Sequence, residues 1–119
     1  MIGGNITVQL QVSTSVKNEI GERVKAWHTV VELRGWLDYS SGDSRRTSFD
    51  AKIQETTHLF ISDYVPIPDT FTIDGKTVRV NAENARMVAN SKHYDVLVID
   101  NPMELNKQLE IYLKYTGGQ

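Results

Sequence analysis

Cysteine is absent from the 119 residues, so neither disulfides nor thiolate metal sites hold this chain together. That absence suits a reducing cytosol. No apolar run approaches the ~20 residues that a membrane-spanning helix needs, and no basic-then-apolar segment opens the chain. A basic excess is also missing: 13 Lys and Arg stand against 15 Asp and Glu, a formal net charge of −2. Affinity for a phosphate backbone comes mostly from cations that displace counterions, so tight nonspecific DNA binding is not expected. The sequence carries no nucleophile elbow, no phosphate-cradling glycine loop and no dinucleotide fingerprint. His28, His58 and His93 each lie in or beside an expected strand, without a neighbouring ligand at metal spacing. A catalytic carboxylate pair would have to come from separate strands, for example Asp63 and Asp95, and no local pattern joins them. The chain is read as a non-enzyme without cofactor or metal.

What is present is alternation. The length fits one domain with one modest core. Ile6, Val8, Leu10 and Val12 share one strand phase, with Thr7, Gln9, Gln11 and Ser13 on the other. This second face is polar but uncharged, open to water or to a partner. Residues 17–22 are turn material. Alternation resumes with Val24, Ala26, His28 and Val30, then slips at Val30-Val31 and continues through Val31, Leu33, Leu37 and Tyr39. One extra residue in a strand is the signature of a β-bulge, and Gly35 suits a close backbone approach. Residues 22–40 therefore read as one long bent strand, with Trp27 and Trp36 as core or seam residues.

Further strands are expected over 56–65, ended by Pro66 and Pro68, and over 94–99 and 109–115. The Asp74-Gly75 dipeptide between Phe71, Ile73 and Val78, Val80 marks a two-residue hairpin. We expect the rest of the chain to assemble around it. Residues 81–90 suit either a helix capped by Asn81 or a strand running into Asn90-Ser91, and the strand is preferred. Asn101-Pro-Met-Glu104 looks like a short helix start. The fold class is mainly β: a single-domain barrel or sandwich, 1–119, of six to seven mostly antiparallel strands with at most one or two short helices. Residues 1–4 and 116–119 are expected to be loose ends. The 38–55 stretch is polar and Gly/Ser-rich, and a loop this long in a compact domain is usually functional or mobile. Its Asp43, Arg45, Arg46, Asp50 and Lys52 are candidate contacts for a channel or a partner.

Four segments in order resemble the phage head–tail joining family, also called head closure or connector proteins. They are the N-terminal strand with its 18–21 turn and the strand entered through Trp27; Thr57-His-Leu-Phe-Ile-Ser-Asp-Tyr64; Ile73-Asp-Gly-Lys-Thr-Val-Arg-Val80; and Leu109-Glu-Ile-Tyr-Leu-Lys114. Residues 81–105 form a longer connection than the family usually has. The resemblance implies a small barrel forming a ring below the portal, which retains packaged DNA and docks the tail. Its implied partners are the portal or portal adaptor, a tail completion protein and further copies of itself. The DNA nearby would be held without sequence-specific binding. The implied location is the virion neck, after a stay in the host cytoplasm and without membrane attachment. A tail completion or terminator protein of the same neck is the neighbouring alternative. A barrel binding single-stranded nucleic acid is a more distant one. It would need aromatic and basic residues on one face, and of Tyr64, Phe60 and Trp36 none has a visible basic groove beside it.

Overall fold

The computed structural model describes residues 3–39 and 56–115. Six strands close a barrel: β1 (Ile6–Lys17), β2 (Arg23–Tyr39), β3 (His58–Asp63), β6 (Ala85–Ala89), β7 (Lys92–Asp100) and β8 (Gln108–Lys114). The order around the wall is β1-β2-β3-β8-β7-β6, and every pairing is antiparallel. Two three-stranded meanders, β1-β2-β3 and β6-β7-β8, therefore zip together along two seams, β3–β8 and β1–β6. The remaining strands, β4 (Thr70–Ile73) and β5 (Lys76–Arg79), form a separate two-stranded sheet. The described residues thus hold eight strands, two of them outside the barrel.

Alternation becomes burial as expected on β1, where Val8, Leu10 and Val12 are fully buried. They meet Leu33, Phe60, Met87, Ile111 and Leu113 in one core. The β1–β2 register jumps from Leu10↔Val31 to Gln11↔Thr29, which leaves Val30 as the extra residue of a bulge. This is the phase slip visible in the sequence. Gly35 fills its expected part too: a Cβ there would fall on the Ile61 carbonyl oxygen and lie 2.8 Å from the Phe60 ring. Gly4 passes against the backbone of the same Gly35, and the Asn5 amide donates to the Gly35 carbonyl at 3.0 Å. The Gly3 amide faces Asp63 Oδ2 at 3.3 Å.

Asp74 and Gly75 have φ of 51° and 77°, both in the left-handed region, as a type I′ turn requires. The hairpin's place differs from the expectation: the barrel is not assembled around it. It lies in the crossover between the two meanders, at the end of the barrel where β3 finishes. Phe71 and Val78 pack there against the core beside Tyr64, Val65 and Ile67. The hairpin therefore plugs one end of a barrel that closes without it.

Smaller differences have simple causes. Asp38 and Tyr39, where the expected strand over 22–40 overlaps the expected 38–55 loop, are the last paired residues of β2, opposite Leu59 and His58. Tyr39 and Trp36 are exposed (81% and 44%), because Trp36 shares the outward phase with Ile61 and Tyr39 lies at the barrel mouth. The 81–90 stretch uses both of its options in series. The Asn81 side chain accepts the Asn84 amide over a single 3₁₀ turn (Ala82–Asn84), and β6 follows at once. The 101–104 segment reaches only one 3₁₀ turn (Pro102–Glu104), broken by Met103 at φ 55°.

Candidate functional site

Three surfaces carry unusual groupings of side chains. The first is the barrel mouth, where β2 ends and β3 begins. His58 packs edge-on to Tyr94 (5.1 Å between ring centroids), Tyr39 (5.6 Å) and Tyr115 (6.2 Å). The Lys92 ammonium sits 5.8 Å from the Tyr115 ring. Burial among these rings, with a smaller push from the Lys92 charge, holds the His58 imidazole below its ordinary value of 6.5. Burial, then the neighbouring Tyr115, raises the Tyr94 hydroxyl above its ordinary range. The Thr57 hydroxyl accepts the Tyr115 amide at 2.7 Å and lies 2.9 Å from His58 Nδ1.

The second surface is an arm. β6 pairs with β1 only over residues 9–12, and β3 pairs with β2 only over residues 35–39. The ribbon of residues 13–17 and 23–26 thus runs on past the wall. It is closed by Asn18, whose side chain accepts the Ile20 and Glu22 amides and leaves Ile20 79% exposed. Along residues 23–34, β2 has a strand partner on one side alone among the described residues. The plug hairpin props the arm from inside: Phe71 stacks on His28, Thr14 Oγ1 lies 2.9 Å from His28 Nε2, and Lys76 donates to the Ser15 carbonyl at 3.1 Å.

The third surface is a lateral groove of about 430 Å³ between the arm root and the β6–β7 wall. It brings Lys25, Trp27, Glu83, Arg86, His93 and Asp95 together. The polar face of β1 borders it through the Gln11–Arg86 bond. Gln11 donates to Thr29 and accepts from Arg86 Nε at 2.9 Å, and the Ser13 hydroxyl donates to Asn84 at 2.6 Å.

Chemically, these surfaces suit contact better than catalysis. His28 and His58 each have a hydroxyl beside one ring nitrogen and aromatic rings around the rest, and among the described residues no carboxylate bonds to either imidazole. Asp63 and Asp95 are far apart. They pair with Gln108 and Lys114, at opposite ends of β8, roughly 20 Å along the strand. Among the described residues no three His, Asp or Glu converge as a metal site. Of the residues singled out in sequence, Asp43, Arg45, Arg46, Asp50 and Lys52 lie outside the described residues. Tyr39 and Thr56, which bracket them, belong to the mouth. Phe60 faces the core and Tyr64 packs against it, so neither shares an outer face with Trp36. The groove residues escaped the sequence because they come from β1, β2, β6 and β7. The uncharged Gln11 face was the one local sign of them.

No family model matches the chain, and no curated protein sequence matches it. Among solved structures, the fold is similar to a chain from the virion of a native gene transfer agent particle, with a TM-score of 0.51 at 17% identity. The likeness spans 92% of this chain and 91% of that one.

Proposed function

We propose that the protein is a non-enzymatic structural component of a phage-like virion: a head closure or head–tail connector protein acting as a ring below the portal. The observation that carries this reading is the likeness, along nearly the full length of both chains, to a chain of a gene transfer agent virion. The sequence resemblance to head–tail joining proteins points the same way and narrows the position to the neck. The surfaces suit an assembly. The barrel closes, but the β2 edge over residues 23–34 is one stretch open to strand addition. Exposed Ile20, Met103 and Leu105 add apolar contact. Head-to-tail contacts of one such edge with a neighbour generate a ring when the rotation closes.

In this reading the portal or its adaptor lies on one side, a tail completion protein on the other, and further copies of the chain beside it. The segment with Asp43, Arg45, Arg46, Asp50 and Lys52 starts and ends at the mouth, and contacts the channel or a neighbouring subunit. With a net charge of −2, the body sits beside packaged DNA without binding it tightly.

Deleting the gene in the parent element and imaging the induced lysate by electron microscopy tests this. Free complete tails beside heads that have packaged and lost their DNA are expected. Filled, stable heads beside defective tails would move the protein to tail completion or termination. Normal particles would overturn the virion reading.

A further inference from the structure

The lateral groove holds an arginine that is fixed in place and, among the described residues, makes no ion pair. Arg86 projects outward from β6 between Gln11 and Asp95, its register partners. Three contacts hold it: Nε donates to Gln11 Oε1 at 2.9 Å, Nη1 faces His93 Nδ1 at 3.3 Å, and the guanidinium lies 4.3 Å from the Trp27 ring centroid. Gln11 is itself pinned by its bond to Thr29. Because an arginine only donates, His93 Nδ1 is the accepting side of this contact. Among the described residues no carboxylate forms an ion pair with Arg86, although Asp95 is its cross-strand neighbour. Burial lowers its pKa.

A surface arginine could simply swing into water, but this one is held by an amide, an imidazole and an indole. Two of its five N–H donors are used, one on Nε and one on Nη1, which leaves Nη2 to donate to a carboxylate. The Lys25 ammonium, 5.8 Å from the same Trp27 ring, adds a second cation. Glu83 and Asp95 balance the two cations on the rim. A polyanion laid through the groove would meet these two acids, whereas a single carboxylate flanked by basic or neutral residues would complement all four charges.

We propose that this groove is a docking site for one Asp or Glu side chain presented by a neighbouring protein, with Arg86 as its clamp and Trp27 as the platform. The proposal does not depend on a place in the virion neck, and its test uses the free protein.

The test is a nuclear magnetic resonance titration that follows the Trp27 indole N–H and the Arg86 Nε–H. The probes are acetyl-Lys-Asp-Lys-amide, its Asn counterpart, and a single-stranded oligothymidylate. The Asp peptide is expected to move both resonances with saturation, and the Asn peptide to bind about tenfold or more weakly. Arg86→Gln should remove the response, and Arg86→Lys should weaken it by a similar factor because the fork is lost while the charge remains. An unchanged amide spectrum away from the groove serves as the folding control. Should Arg86→Gln fail to fold, Trp27→Phe provides the second variant, expected to weaken binding by removing the broader ring. Equal shifts from the Asp and Asn peptides, or silence up to about 10 mM, would overturn the proposal. So would tighter binding of the oligothymidylate, which would make this a phosphate site. Shifts on simple dilution would assign the groove to a second copy of the chain and overturn the foreign partner.

Discussion

Between Ile6 and Val12, β1 is part of a closed wall and buries Val8, Leu10 and Val12 completely. Beyond Val12 the same strand keeps the same partner in regular antiparallel register but has left the barrel. Along the arm, Val24 is 42% exposed and Lys17, Arg23 and Lys25 face solvent. Hydrogen-bonded pairing is therefore common to both halves and cannot be what distinguishes them. The difference is enclosure. In the wall the inward side chains meet residues from across the barrel, while in the arm only its root, Ser13 and Thr14, is buried and the rest meets the plug hairpin or water. A two-stranded ribbon is marginal by itself, so the arm owes its order to the barrel that roots it and to the Phe71–His28 prop.

Substitutions should separate the two halves. Phe60→Ala empties the centre of the wall and should cost about 3–5 kcal/mol in chemical unfolding. A loss below about 1 kcal/mol would mean that the core is not organised around this ring. Gly75→Ala forces a side chain into the left-handed region of the plug turn. It should cost ~1–2 kcal/mol, less than the wall variant because the hairpin lies outside the barrel. A cost equal to that of Phe60→Ala would show that the plug and the wall fold as one inseparable unit.

The mouth provides a pH test. His58 has its pKa depressed in the folded state, so the unfolded chain takes up the proton first as pH falls. Its contribution is intact above the ordinary value of 6.5 and declines below it, towards the folded pKa. The charged and titratable groups around it are Tyr39 on β2, Lys92 and Tyr94 on β7, and Tyr115 after β8. Denaturation midpoints at about pH 7.5 and about pH 5 should differ more in the native protein than in His58→Phe. Identical pH dependence in the two would remove His58 from the account. The smallest effect belongs to the arm: Val24→Ser should change stability by no more than about 0.5 kcal/mol. A larger loss would mean that the arm is packed as firmly as the wall.

Local features were legible in the sequence because they depend on neighbours in the chain. The buried phase of β1, the bulge at Val30, the close approach at Gly35 and the Asp74-Gly75 turn all follow from side-chain period or backbone sterics. What escaped depends on which distant strands meet. Alternation marks the Asp74-Gly75 hairpin but not its place in the crossover, because Phe71 and Val78 have the same pattern in a plug as in a wall. Trp36 and Tyr39 look like core residues until Ile61 and His58 are known to lie opposite them. The Arg86 groove required the β1–β6 seam, which brings together residues 75 positions apart in sequence.

The most direct measurement of the central contrast is residue-resolved hydrogen exchange on the free protein. Amides of residues 8–12 and 109–113 should exchange only with global unfolding. Those of residues 14–17 and 23–26 should exchange through cheaper local opening. Equal protection along the whole length of β1 and β2 would contradict the account and make the arm part of the core.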